Sequence, residues 1–220
     1  MSALVSVINP NSLVSVTTGI ARALQPIANS VQCRFECSTL DAGPPGIATQ
    51  RDADRAAPFV ADFVAAHADR PDGFVIACYS DPGLFAAREL TNKPVIGIGH
   101  ASLDRAATLG KRIGVIAASS AGIARHWRYY RMLGFASQIV GERAIDLPVE
   151  HTGDPALALS RLTATATQLR DDGADVIVLG CAGMADLRDA LEDAVCLPVV
   201  EPCRAAAEAI AAQLAARSAS

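Results

Sequence analysis

The chain has 220 residues, a formal net charge of −4 and 51% hydrophobic residues, which is typical of a globular protein with one large or two smaller domains. Its 19 Lys and Arg residues are scattered, so the sequence lacks the basic patch that binds nucleic acid or an anionic membrane. No apolar run approaches the ~20 residues that cross a bilayer and the N-terminus lacks a signal-peptide pattern, so we expect a cytoplasmic protein.

Short β-branched segments alternate with Ala-rich segments along the chain. Parallel sheets with helices on both faces produce this pattern. The predicted strands are 5–8, 32–37, 74–77, 95–98, 113–117, 138–143, 176–179 and 199–200. The predicted helices are 14–24, 51–68, 82–90, 103–109, 122–133, 155–171, 184–192 and 205–216. Two segments rich in Gly, Pro and Asp, 41–48 and 147–154, are predicted loops.

The second half of the chain resembles the first. Two segments share one order of features: an apolar strand, a cysteine, a polar turn, a helix, a Pro-Val strand and an Ala-rich helix. They are IACYSDPGLFAARELTNKPVIGIGHASLDRAA and, later in the chain, LGCAGMADLRDALEDAVCLPVVEPCRAAAEA. The first strands of each half also correspond, because one ends at Asn9 and the other at Ser119 and Ser120. The offset is 110 positions from Asn9 to Ser119 and 103 from Cys78 to Cys181, which favours an internal duplication.

The predicted fold class is therefore α/β, with two pseudo-symmetric three-layer lobes, a parallel sheet in each and a cleft between them. We assign residues 1–98 and 204–220 to the first lobe and residues 99–203 to the second. Ligands of parallel sheets bind beyond the carboxyl ends of the strands. Because Cys78 and Cys181 both follow predicted strands, the pseudo-symmetry predicts that they face each other across the cleft.

Two opposed thiols suit the inversion of a stereocentre next to a carbonyl. A thiolate removes the proton from one face, and the opposing thiol returns a proton to the other face. Each cysteine precedes a predicted helix, whose free N–H groups are expected to lower the thiol pKa and favour the thiolate. The N–H groups around Tyr79–Ser80 and Ala182–Gly183 are candidates for holding an enolate oxygen or a carboxylate.

The sequence lacks the usual metal and cofactor patterns. It contains no C-x-x-C or H-x-x-x-H pair, no G-x-G-x-x-G motif and no Walker-type loop. Its two lysines, Lys93 and Lys111, offer few candidates for a pyridoxal phosphate Schiff base. We therefore expect no metal and no organic cofactor.

The remaining cysteines and histidines are interpreted mainly as structural. The other thiols are predicted to be reduced, with Cys196 packed in an apolar turn. His67, His126 and His151 are interpreted as surface residues or satisfied polar groups. His100 follows a predicted strand and is a weaker candidate for a residue at the border of the cleft.

Four stretches, INPN from residue 8, GPPGI from residue 43, ACYSDPGL from residue 77 and VLGCAGM from residue 178, resemble the hydantoin and allantoin racemases of the aspartate/glutamate racemase superfamily. The resemblance covers essentially the whole chain. It implies a two-domain α/β fold without metal or organic cofactor, a small-molecule substrate, a homo-oligomer, and Cys78 and Cys181 as the acid/base pair. It also implies substrate contacts at Asn9, Gly43, Tyr79, Ser80, Ser119, Ser120, Ala182 and Gly183.

Several positions depart from the pattern of the hydantoin racemases. Tyr79 and Ser80 stand where Phe-Gly is common, and His100 stands where Glu is frequent. The substrate could therefore be a 5-substituted hydantoin, allantoin, a related cyclic amide or an amino acid. No basic residue stands out as the partner of a free carboxylate, which weighs against an amino acid. A decarboxylase or cis–trans isomerase of the same superfamily and a non-catalytic binding protein are the alternatives.

Overall fold

The computed structural model describes residues 2–218, in which strands and helices alternate along the chain. The strands are β1 (Ala3–Asn9), β2 (Cys33–Thr39), β3 (Gly73–Ile76), β4 (Val95–Gly97), β5 (Ile113–Ala117), β6 (Ile139–Ala144), β7 (Val176–Gly180) and β8 (Val199–Val200). The helices are α1 (Val14–Leu24), α2 (Gln50–His67), α3 (Leu84–Glu89), α4 (Ile98–Leu109), α5 (Ile123–Leu133), α6 (Pro155–Asp171), α7 (Arg188–Val195) and α8 (Pro202–Ser218). Within these described residues, no helix has both the length and the apolar character needed to span a membrane.

The strands form two four-stranded parallel sheets with the same internal order. The first sheet has the order β2-β1-β3-β4, and the second has the order β6-β5-β7-β8. This repetition confirms the predicted α/β fold with two pseudo-symmetric lobes. In each sheet the direction of winding reverses between the two central strands, and ligands of parallel sheets bind at such a reversal, beyond the carboxyl ends of the strands.

Each sheet is covered by helices on both faces because successive strand residues point to opposite sides. On β3, Val75 joins the apolar cluster that contains Ile20 of α1 and Ile210 of α8. Its neighbour Phe74 joins the opposite cluster, with Val60 of α2. The first lobe therefore has the three layers that the sequence pattern predicts.

The second sheet is enclosed in the same way. On β7, Ile177 packs in a cluster with Leu162 of α6, whereas Val178 packs in a cluster with Leu103 of α4 and Tyr130 of α5. Helix α4 packs against both sheets, because Leu103 belongs to the Val178 cluster while Ile98 belongs to the cluster of the first sheet, and most buried residues of α8 cover the first sheet. The lobe boundaries near residues 98 and 204 stay a prediction.

Helix α4 begins at Ile98 rather than at the predicted residue 103. The buried carboxylate of Asp81 accepts hydrogen bonds from the backbone N–H groups of Gly99 (2.9 Å) and His100 (2.8 Å). The Tyr129 hydroxyl of α5 donates a third bond to Asp81 at 2.6 Å. Because this cap comes from a residue 18 positions earlier in the chain than Gly99, no local pattern indicates where the helix begins.

Three other helix starts differ from the prediction by two or more residues, and one of them is that of α8, which begins at Pro202 instead of residue 205. Helix α3 begins at Leu84 instead of residue 82, because Gly83 adopts a left-handed conformation with a φ of 75°. The predicted helix from residue 184 begins as a 3₁₀ turn (Ala182–Leu187), and α7 follows at Arg188.

Replacing Asp81 by alanine is expected to lower the free energy of unfolding by about 3 kcal/mol, because the buried N–H groups of Gly99 and His100 lose their acceptor. Urea unfolding followed by circular dichroism measures this change. Asp104→Ala, at an exposed position of the same helix, is the matched control and should cost less than about 0.5 kcal/mol. Equal effects of the two substitutions would contradict the capping role of Asp81.

Candidate active site

A cavity of about 340 Å³ lies at the carboxyl ends of the strands, between the two lobes. Part of its wall consists of residues that follow β1, β3, β5 and β7, which are the central strands of the two sheets. Residues of α1, of the predicted 41–48 loop, of α5 and the turn before it, and of the segment 146–149 complete the wall. The volume is suited to a small organic molecule.

The structure brings most of the predicted site residues together in this wall. They are Cys78, Tyr79, Ser80, Ser119, Cys181, Ala182 and Gly183. Three other predicted contacts, Asn9, Gly43 and Ser120, are not part of the cavity wall. Substrate contact by any of these residues stays a prediction.

The three residues outside the wall support neighbouring segments. The buried Asn9 side chain donates to Asn11 Oδ1 at 3.1 Å, and Asn11 lines the cavity. Gly43 packs so closely that a Cβ atom there would lie 2.4 Å from the carbonyl oxygen of Pro10. The Ser120 N–H donates to Asp146 Oδ1 at 2.7 Å.

Cys78 and Cys181 occupy equivalent positions in the two lobes. Cys78 follows β3, and Cys181 follows β7. The backbone N–H of Ser80 donates to the Cys78 sulfur, and that of Gly183 donates to the Cys181 sulfur, so each thiol accepts a bond from the residue two positions later. A ligand in the cavity therefore meets one thiol from each lobe.

Burial raises the pKa of both thiols, which contradicts the expected lowering by helix N-termini. Loss of solvation raises the pKa of Cys78 to about 12, although the Ser80 N–H and the Arg125 guanidinium oppose the rise. Loss of solvation also raises the pKa of Cys181, against the Gly183 N–H. Helix N-termini lower the thiol pKa only slightly here, because Cys181 precedes only a 3₁₀ turn and Cys78 is separated from α3 by a turn.

Like-charge repulsion adds to the effect of burial at the first thiol. A negative charge on Cys181 raises the pKa of Cys78, so the two sulfurs do not ionise independently. Once one sulfur is ionised, its charge holds the other as a thiol, and this gives the combination of base and acid that proton transfer across a cavity requires.

Arg125, a residue of α5 that is only 8% exposed, also lines the cavity, although the sequence pattern did not predict this position. Its Nη1 donates to the carbonyl oxygen of Ala48 at 3.1 Å, and its Nη2 lies 3.1 Å from His126 Nε2. Arginine is usually exposed, so nothing in the segment IARHWRYYR indicated that this residue is buried.

His126 was interpreted as a surface residue or a satisfied polar group, and the structure selects the second interpretation. The ring is buried, and its Nδ1 lies 2.5 Å from Glu142 Oε1 of β6. His126 also lines the cavity, which its sequence spacing did not predict. The ring therefore connects a buried carboxylate to the cavity wall.

Two other predicted positions lie away from the cavity wall. The His100 ring packs against Phe135, and its Nε2 lies 3.6 Å from Asp104 Oδ2. Cys196 is exposed at the end of α7, which corrects the prediction that it packs in an apolar turn. Across residues 2–218, no group of three or more His, Cys, Asp or Glu side chains is placed to hold a metal ion.

Comparison with known proteins shows similarity over nearly the whole chain. The family model described as Asp/Glu/Hydantoin racemase matches residues 5–210. A hydantoin racemase of Rhizobium meliloti is 34% identical over 217 residues, which cover 96% of this chain and 89% of that protein. The allantoin racemase from Klebsiella pneumoniae has a TM-score of 0.91 at 32% identity, covering 98% of this chain and 89% of that chain. The allantoin racemase from Pseudomonas fluorescens has a TM-score of 0.87 at 28% identity, with coverages of 98% and 92%.

The raised pKa of Cys78 predicts how this thiol reacts with iodoacetamide. Below a pKa of about 12 the thiolate fraction grows tenfold per pH unit, so alkylation should accelerate by about 100-fold between pH 7.5 and 9.5 without a plateau. Mass spectrometry of the Cys78 peptide measures the rate, with the exposed Cys196 in the same sample as an internal comparison. A plateau below pH 9 would instead indicate a stabilised thiolate.

Proposed function

The chain belongs to the Asp/Glu/hydantoin racemase family, and from this premise we propose that it racemises a hydantoin-type cyclic amide by proton transfer between Cys78 and Cys181. As a racemase the protein is an isomerase, and its substrate is a small molecule. The observation that carries the proposed mechanism is the pair of equivalent thiols, one from each lobe, in the wall of one cavity.

The proposed reaction has two proton transfers. The thiolate of one cysteine removes the proton from the carbon next to the carbonyl, and the electron pair of the broken C–H bond passes to the carbonyl oxygen as an enolate. The thiol of the other cysteine then donates its proton to the opposite face of that carbon. The first cysteine is left as a thiol and the second as a thiolate, so the reverse sequence converts the other enantiomer.

Burial of the thiols supports this chemistry. A thiolate with a raised pKa is a stronger base toward a weakly acidic C–H group than an exposed thiolate is. A cavity that excludes water also strengthens the interactions that stabilise a developing negative charge. The backbone around Tyr79 in one lobe and around Ala182 in the other is the proposed site of the enolate oxygen.

The form of the protein in the cell is also part of the proposal. We expect a homo-oligomer in the cytoplasm. The basis of this expectation is the resemblance to racemases that assemble as homo-oligomers.

Each thiol should be essential for racemisation. Cys78→Ser and Cys181→Ser are each expected to lower the racemisation rate of an enantiopure hydantoin or allantoin by at least about 1000-fold, because a serine hydroxyl is a far weaker acid than a thiol and supplies almost no alkoxide base near neutral pH. Polarimetry measures inversion, and proton NMR in deuterated water measures exchange of the C–H group. Exchange without inversion should persist for the enantiomer whose C–H faces the remaining thiol.

Cys196→Ser, at an exposed position, is the control for loss of a thiol elsewhere. Racemisation at the wild-type rate by either active-site variant would contradict the two-thiol mechanism. Release of carbon dioxide from an arylmalonate without racemisation of any hydantoin would favour the decarboxylase alternative. Stable binding without turnover would favour a binding protein.

A further inference from the structure

Arg125 is a buried charged residue in the cavity wall that the two-thiol proton transfer does not use. Two of its N–H groups are directed at the Ala48 carbonyl oxygen and at His126 Nε2. Its Nε is buried and has no hydrogen-bond partner among residues 2–218. An arginine has five N–H donors, so this side chain keeps donors for a ligand.

The guanidinium group is held in a fixed orientation. Because His126 Nδ1 faces the Glu142 carboxylate, the ring proton lies on Nδ1 and Nε2 accepts a hydrogen bond from Arg125. The Ala48 carbonyl fixes the other end of the guanidinium from the opposite lobe. Such supporting contacts position a binding group before the ligand arrives.

No carboxylate lies within ion-pair distance of Arg125 in the described part of the chain. Glu142 is separated from it by the His126 ring, and Asp52 accepts bonds from Thr49 at the start of α2. Asp146, which lines the cavity, accepts the N–H of Ser120. A buried charge without a direct counter-charge is costly, and an anionic group in the cavity would offset that cost.

We propose that Arg125 binds a carboxylate on the substituent of the carbon that is inverted, so that the substrates are hydantoin-type cyclic amides with an acidic side chain. This inference rests on the proposed function. A planar guanidinium matches a carboxylate with two parallel hydrogen bonds, and its charge selects the acid over a neutral amide of the same shape. Arg125 is therefore the basic residue that the sequence analysis did not find.

The test compares two substrates that differ only in charge. They are hydantoin-5-acetic acid and its primary amide, each offered as one enantiomer and followed by polarimetry. The wild-type protein is expected to prefer the acid in kcat/KM by about 30-fold, mainly through KM, and Arg125→Gln should remove this preference. Arg125→Lys keeps the positive charge but lacks the planar guanidinium, so this variant should retain part of the preference for the acid.

Arg128→Gln is the matched control. Arg128 lies on the same helix, is exposed and donates to Gln50 Oε1 at 2.8 Å, outside the cavity wall. This variant should keep the preference for the acid. Equal loss of kcat for the acid and the amide in Arg125→Gln, with no change in the preference between them, would overturn the inference, because it would mean that Arg125 acts only on the Cys78 thiolate.

A binding measurement separates this inference from the proposed function. Calorimetry gives the Kd of hydantoin-5-acetic acid for Cys78→Ser, with and without Arg125→Gln, and needs no turnover. A Kd at least about tenfold weaker in the double variant would support the carboxylate site, and equal values would overturn it. Absence of racemisation of every hydantoin by the wild-type protein would refute the proposed function, while this binding measurement still decides the role of Arg125.

Discussion

The hydrogen bonds of one buried carboxylate join the parts of the molecule from which the cavity is built. Asp81 belongs to the turn that carries Cys78, and its oxygens accept the first N–H groups of α4 and the hydroxyl of Tyr129 on α5. Helix α4 packs between the two sheets, and α5 packs on the second sheet and carries Arg125. The turn that carries Cys78 is therefore fixed to helices that contact the second sheet, and the two halves can enclose a common site.

Loss of solvation disfavours the charged forms of the residues in that site, and it therefore shifts the pKa of the thiols and the pKa of the guanidinium in opposite directions. It raises the pKa of the thiols at Cys78 and Cys181, because a buried thiolate lacks water. It lowers the pKa of Arg125, because a buried guanidinium lacks water too. The nearby guanidinium partly offsets the cost of a thiolate at Cys78, so the arginine and the thiol stabilise each other's charged forms.

The duplication makes the two thiols equivalent, but the surrounding side chains are not equivalent. The Thr152 hydroxyl lies 3.9 Å from the Cys181 sulfur, whereas the guanidinium of Arg125 acts on Cys78. Two similar thiols suit a reaction that runs in both directions on mirror-image substrates. Under the proposed function, these unequal surroundings offer the substituent of the stereocentre a partner different from that of the ring, because the groups on that carbon differ in shape and charge.

The sequence by itself determined the alternation of strands and helices, the duplication and the position of both cysteines at strand ends, because these features depend on residue spacing along the chain. Most of the site residues predicted from the sequence lie in one cavity wall. Only the tertiary structure decided the start of α4, the burial of Arg125 and the upward shift of the thiol pKa. Each of these depends on contacts or burial between segments distant in the chain, such as Asp81 with Gly99 or Arg125 with Ala48, and local patterns carry no information about such contacts.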